Sequence, residues 1–342
     1  MYKRITQISL LVLLTNLLGA CTDGRASSQL QLAPTTNMPT TRLISAADIQ
    51  FKVNGQAAAT TADTLLINGG SLFMTGKPMG FARLEIAQDE ENPSITFSMS
   101  TQIDTFSPMG KWVEDWYASG ALAIYNQIAF MSGTVGTSVV SMSNTLHPVE
   151  VQRYPALNPN SDVVPSDAAY IYSAMVMHPT KPIMYGFTRQ DYVYTSDLSA
   201  GKINLIAKDA YGATAGQAVC CAMGAAVYNN QVFVGFRNRL LIFGIGADGR
   251  LSRLGETASL NATNVVATSR YLYVQHEPTN VSQTSGQGVT PQGIYVFDST
   301  GRNVAFFAAG SPKKFAVSSD DSHFYANLDG QSVKAYRIQW TN

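Results

Sequence analysis

The sequence predicts an all-β fold, a β-propeller of four-stranded blades, on three observations. No long stretch carries a helical period; short runs rich in Val, Ile, Tyr and Phe recur instead, parted by Gly, Asn, Asp, Ser and Pro. A tight polar turn leading into a strand with a central aromatic occurs six times, as in Ile183-Met184-Tyr185-Gly186 and Gln231-Val232-Phe233-Val234. Its aromatics, Phe73, Phe130, Tyr185, Phe233, Tyr273 and Tyr325, recur 40 to 57 residues apart, the spacing of a unit that holds four short strands.

The chain ends predict how the ring closes. The last unit supplies strands near Phe315 to Val317, His323 to Asn327 and Val333 to Ile338, and then stops one strand short at Asn342. An apolar strand at Ile49 to Val53 precedes the first complete unit and is free to supply the missing one. Six blades are therefore expected, closed by the N-terminal strand. Seven is the alternative, with a degenerate blade between Thr101 and Gly120 or between Pro155 and Tyr172.

Ahead of this domain, Lys3 and Arg4 precede an apolar run from Ile5 to Leu18, followed by Leu18-Gly19-Ala20-Cys21. A charged start, an apolar run too short to span a bilayer and small residues before a cut site describe a secretory signal. With a cysteine just after the cut, the segment resembles a bacterial lipoprotein signal peptide. That resemblance implies cleavage before Cys21, acylation of Cys21 and a membrane anchor; Thr22, where Asp would favour inner-membrane retention, favours the outer membrane. Residues 1–20 are then the signal peptide and 21–43 a lipidated tether, rich in Ser, Thr, Gln, Ala and Pro and expected to be flexible. The propeller occupies 44–342.

The charge balance narrows the partners. Lys+Arg and Asp+Glu both number 23, and 13% of residues are charged. A chain this neutral lacks the basic footprint of a nucleic-acid binder.

Turn wording adds a second resemblance over roughly 165–342. His178-Pro179-Thr180-Lys181-Pro182-Ile183-Met184-Tyr185, Ile242-Phe243-Gly244-Ile245 with Asp248-Gly249-Arg250-Leu251, and Ser318-Ser319-Asp320-Asp321 before Phe324-Tyr325 are similar to elements of lactonase-like (YVTN-type) propellers. These residues build turns, since Asp and Ser bond their own backbone and Gly accepts positive φ. If the chain followed those relatives in activity, His276 or Glu277 would be the general base and Arg237 and Arg239 would stabilise an oxyanion. The relatives' acid/base and arginine positions do not map one by one onto this sequence.

Blade topology sorts the connections between two faces. Those joining first to second and third to fourth strands are short, such as Asn68-Gly69-Gly70, Asn126-Gln127 and Asn229-Asn230. Nearly all long ones, Thr101 to Gly120, Tyr154 to Ile171, Lys208 to Ala222 and His276 to Gln292, belong to the opposite face. Loops beyond about 12 residues tend to be functional or disordered, so this rim is the candidate site. It carries Trp112, Glu114, Asp115, Trp116 and Tyr117, whose aromatics would anchor a partner or plug the central channel. Arg189 with Asp191, Arg237 with Arg239, and His276 with Glu277 fall on second-to-third connections. They would meet an anionic ligand or simply be solvated rim charges.

Cys220 and Cys221 are adjacent, and an oxidising compartment would leave them as a vicinal disulfide, an intermolecular pair or two reduced thiols; the vicinal disulfide is the expectation. Adjacent cysteines cannot easily share a tetrahedral ion, so no metal is expected, and no cofactor. The sequence has no Gly-x-Ser-x-Gly elbow, His-Glu-x-x-His or phosphate loop. The reading that results is a lipid-anchored, non-enzymatic envelope module that binds a protein or polymer through its long-loop rim. A lactonase-like hydrolase is the alternative, and a redox or quinone role through the cysteine pair is a third.

Overall fold

The computed structural model describes residues 30–32, 41–99 apart from 50, 54–55, 59–60, 78–79 and 88–95, and 121–340 apart from 134–135, 144–148, 155–167, 189–190, 212–221, 237–238, 258–259, 279–290, 309–311, 313 and 327–332. Side chains within 45–63 and 76–99 are not described.

Among the described residues the first strand is β1 (Arg42–Ile49), followed by a small hairpin of β2 (Phe51–Val53) and β3 (Gln56–Ala58). The first four-stranded sheet is β4 (Thr61–Asn68), β5 (Ser71–Lys77), β6 (Gly80–Ala87) and β7 (Thr96–Met99). The second is β8 (Ala121–Tyr125), β9 (Ile128–Ser132), β10 (Thr137–Ser141) and β11 (Val149–Tyr154); the third is β12 (Tyr172–Met177), β13 (Ile183–Thr188), β14 (Tyr192–Asp197) and β15 (Asn204–Ala210). The fourth is β16 (Gly224–Tyr228), β17 (Gln231–Phe236), β18 (Arg239–Ile245) and β19 (Leu251–Thr257); the fifth is β20 (Ala262–Ala267), β21 (Leu272–His276), β22 (Gly293–Phe297) and β23 (Asn303–Phe307). Each of these five sheets uses strands in sequence order. In the sixth, β24 (Phe315–Val317), β25 (His323–Ala326) and β26 (Val333–Gln339) are joined by β1, which pairs antiparallel with β26 from Arg42↔Gln339 to Ile49↔Val333. The architecture is an all-β propeller of four-stranded antiparallel blades.

The repeated aromatics are what hold the sheets against one another. Phe73, Phe130, Tyr185, Phe233, Tyr273 and Tyr325 all lie on second strands and all are buried. Burying such a ring fully stabilises by about 2–3 kcal/mol. Between the third and fourth sheets, Tyr185, Phe187, Val234, Phe236 and Phe243 form one cluster; between the fourth and fifth, Phe233, Ile242, Val265, Val274 and Tyr295 form the next. Burial falls from the second strand outward: β13 is buried throughout, whereas β15 alternates exposed and half-buried. An outermost strand has one face on the core and one on water, which is what period-two alternation accommodates.

The short turns form as their residue types require. Asn126-Gln127, Asn229-Asn230 and Gly69-Gly70 all have positive φ at both positions, between 46° and 80°. That is the two-residue hairpin turn whose twist matches its strands, and it selects Asn and Gly.

The sheets approach one another closely at Gly235 on β17. A Cβ there would lie 2.6 Å from the carbonyl oxygen of Ala262 on β20 and 3.1 Å from Val265 Cγ2. Gly235→Ala should therefore destabilise by about 1–3 kcal/mol, the usual cost of overpacking, read as a lower urea midpoint at unchanged m-value.

Two features of the N-terminal region differ from expectation. The strand that joins the sixth sheet is Arg42–Ile49, earlier than the expected Ile49 to Val53; residues 51–53 instead belong to the β2–β3 hairpin. Leu43 packs on the cluster of the last sheets, and the register shifts between Ser45 and Ala47. Within the expected tether, Gln31 bridges in parallel to Arg302, its N–H donating to Gly301 O at 2.9 Å, while Leu30 and Leu32 pack on the core between the fourth and fifth sheets. Two leucines flanking a glutamine are the apolar anchor that a purely flexible segment would lack. The alternative seventh blade rests on residues 101–120 and 155–172, most of which lie outside the described residues.

Candidate functional site

In antiparallel sheets of this order, every first strand starts on the same face of the molecule. The connections 100–120, 155–171, 211–223 and 277–292 all leave from that face, and the turns at 69–70, 126–127, 229–230, 246–250 and 298–302 lie on the other. The long-connection face is thus set by strand direction alone.

The sequence-predicted residues on it divide into two groups. Trp112, Glu114, Asp115, Trp116, Tyr117, Arg189 and Arg237 lie outside the described residues, as do Cys21, Cys220 and Cys221. Asp191, Arg239, His276 and Glu277 are described, and all four stand at second-to-third connections.

Arg239 opens β18 and is only 5% exposed. Its Nη1 lies 3.0 Å from Glu256 Oε2, and Arg253 Nη2 reaches the same oxygen at 2.6 Å. Asp191 sits in the left-handed region at φ 64° and passes its carbonyl to the Tyr211 N–H. Burial raises its pKa, and the Arg239 charge partly offsets that rise. Asp191 of the third sheet and Arg239 of the fourth thus lie within electrostatic reach of each other, while the Arg239 ion pair is made to Glu256.

His276 ends β21 and is 4% exposed. Its Nδ1 accepts the Asn261 N–H at 2.9 Å, and its ring meets Tyr295 edge-on at a centroid distance of 6.1 Å. A neutral ring accepting at Nδ1 carries its proton on Nε2. The lone pair that a general base would use is thus already committed to the backbone. Glu277 is half-buried; its carbonyl accepts from Asn261 Nδ2, and its Oε1 accepts from Gln275 Nε2 at 2.8 Å. His276 and Glu277 thus tie β21 to the 258–261 connection.

Strand order produces a feature that sequence reasoning missed. One cavity of about 360 Å³ is lined by one edge strand of each four-stranded sheet: β4, β8, β12, β16, β20 and β24. Because these strands all start on the long-connection face, the lining has a polarity along its axis. Thr64, Ser173, Asn264 and Lys314 stand toward the strand starts, and Ile67, Ile124, Met177, Val227 and Val317 toward the strand ends. The trace of this in the sequence is Asn261-Ala262-Thr263-Asn264, polar residues breaking into an otherwise apolar edge strand. Among the described residues, no group of three or more His, Cys, Asp or Glu is placed to hold a metal ion, and no helix is long and apolar enough to cross a membrane.

The comparisons with known proteins define a fold class. No family model matches the chain, and no curated protein matches it. Among solved structures it is similar to a 6-phosphogluconolactonase candidate from Bacteroides uniformis, with 12% identity over 82% of this chain and 84% of that one, at a TM-score of 0.51. It is also similar to a chain of the mitotic checkpoint complex, with 10% identity over 91% of this chain and 96% of that one, at a TM-score of 0.50. Matches extend to 1161 chains, so likeness of this kind shows the propeller and selects no activity.

Proposed function

We propose that the chain is a lipid-anchored, cell-envelope β-propeller of six blades, closed by its N-terminal strand, that binds a protein or polymer partner through its long-loop rim. Closure is supported by the β1–β26 ladder and by a single cavity shared by one edge strand from each of six sheets. The anchor rests on the Lys3-to-Cys21 pattern. Recognition rather than hydrolysis is supported by one observation above all: His276 and Arg239, two of the four residues that hydrolysis would draw on, are buried and spent on Asn261 and Glu256.

A lactonase-like hydrolase is the second reading. It is favoured by the turn wording and by the name of one structural neighbour, whose likeness carries the fold alone. Lactone hydrolysis that disappears in His276→Gln, with folding intact, would establish it over binding.

Two experiments test the preferred reading. Cys21→Ser should move the protein from the membrane fraction to the soluble fraction; acyl chains contribute about 0.8 kcal/mol per buried CH₂, so losing them is decisive. Retention of the variant on membranes would refute the anchor. Deleting 111–117 should remove the envelope components that cross-link to the intact protein, and an unchanged set would refute the rim.

A further inference from the structure

We propose that Leu30-Gln31-Leu32 is a clip that shortens the lipid tether and sets the attitude of the propeller on a bilayer, with the short-turn face toward the lipid and the long-connection face toward the partner. This deepens the envelope-binding reading and rests on its lipid anchor.

Gln31 bridges in parallel to Arg302 at the start of β23, the edge strand of the fifth sheet opposite β20. Its N–H donates to Gly301 O at 2.9 Å, and its carbonyl accepts the Asn303 N–H at 3.2 Å. Among the described residues, this is the one bridge outside the named strands. A turn fixed by its own side chain holds the acceptor in place. Asp298 Oδ1 accepts the N–H groups of Thr300 at 2.9 Å and Arg302 at 3.1 Å, and Gly301 takes φ 78°. The segment alternates as a strand does. Leu30 and Leu32 are half-buried against the cluster shared by the fourth and fifth sheets, and Gln31 is exposed. An open sheet edge is a template for a further strand, and here the chain's own tether supplies it.

Direction carries the inference. β23 leaves the short turn at 298–302 and runs toward the long-connection face. A parallel partner runs the same way, so the chain reaches Leu30 from the short-turn face. Leu30 stands nine residues after Cys21, a reach of at most about 32 Å. Without the clip the first strand residue is Arg42, 21 residues after Cys21, a reach of about 75 Å. The clip thus more than halves the tether and fixes the side from which it arrives. An anchor drawn in on the short-turn side leaves the long-connection face turned away from the bilayer. The contact is small, and β23 keeps its own ladder to β22 from Ile294↔Phe307 to Phe297↔Asn303. Its loss is therefore a local opening that leaves the sheets folded.

The test uses the full-length protein in phospholipid vesicles that carry an acceptor dye on their headgroups. A fluorescent residue is introduced genetically at Ala247, exposed on a short turn, or at Ala210, exposed at the long-connection end of β15. Energy transfer to the lipid should be at least twofold greater from position 247 than from position 210. Leu30→Asp combined with Leu32→Asp should at least halve the transfer from 247, with membrane attachment and urea midpoint unchanged. Bridge partners stand within the reach of a disulfide, so Gln31→Cys combined with Arg302→Cys should yield a linked 31–302 peptide pair by mass spectrometry. Equal transfer from both positions in a protein whose attachment needs Cys21, or absence of the linked pair, would overturn the clip alone. Attachment that survives Cys21→Ser would overturn the anchor, and the attitude with it.

Discussion

Phe324→Ala should lower stability by about 3–5 kcal/mol, the range for emptying a buried aromatic site, seen as a large fall in urea midpoint at nearly constant m-value. Phe324 is fully buried on β25. Its ring stacks on Phe315 at 5.0 Å and meets Phe307 and Tyr336 at 6.3 Å. Phe307 belongs to the fifth sheet and the other three rings to the sixth, so the cavity would open at the seam between them. Backbone on both sides is fixed by ladders and cannot collapse inward to fill it. Phe324→Leu, which restores part of the volume, should recover roughly half of the loss. A cost below about 1 kcal/mol for the alanine variant would mean that this seam is not packed as described.

Asp321→Ala should cost about 3 kcal/mol, from two buried hydroxyls left without an acceptor and alanine forced to positive φ. Asp321 is 0% exposed at φ 60°. Its Oδ1 accepts from Tyr273 OH and Thr268 Oγ1, each at 2.7 Å, and its carbonyl accepts from Trp340 Nε1 at 3.0 Å. Arg270 Nε stands 3.7 Å from Oδ2 on a largely exposed side chain and adds little. The latch ties the fifth sheet to the sixth on the short-turn face. Burial raises the Asp321 pKa, and the hydrogen bonds from Tyr273 and Thr268 and the Arg270 charge hold back part of the rise.

The sign of the pH effect follows from that direction. A carboxyl whose folded pKa exceeds its unfolded one binds protons more tightly when folded. Its contribution is full below the unfolded value of 3.8 and is lost as pH rises through the folded value. Asn accepts the same two bonds, tolerates positive φ and does not titrate. Asp321→Asn should therefore match or exceed the wild type near pH 7. The difference should move in favour of the wild type as pH falls through the carboxylate range. The opposite slope in paired pH-dependent unfolding curves would show that the carboxylate is stabilised by its site.

How far the fold could be read in advance is visible at particular residues. The six aromatics sat on second strands and the Asn-Gln and Asn-Asn turns at positive φ, as their local chemistry requires. Those features depend on a few neighbouring residues: period-two alternation places one face inward, and a two-residue turn admits only side chains that tolerate left-handed backbone. Direction within an antiparallel sheet is also local, so the gathering of long connections on one face followed from their order in the chain.

Other features depend on which residues meet between sheets, and no local pattern encodes that. His276 and Arg239 looked like rim groups because they end or begin strands, yet Asn261 and Glu256, 15 and 17 positions away, commit them to holding the scaffold together. Asp321 read as one more turn residue until Tyr273 of the neighbouring sheet reached it. Gln31 read as tether until its two leucines found the apolar edge between the fourth and fifth sheets. Lys314 reaches the Met223 carbonyl across 91 positions. Local order thus settled where strands, turns and long crossings fall. Which polar groups were consumed by the scaffold was settled only when sheets distant in sequence packed on one another, because a donor's fate depends on the acceptor that packing brings to it.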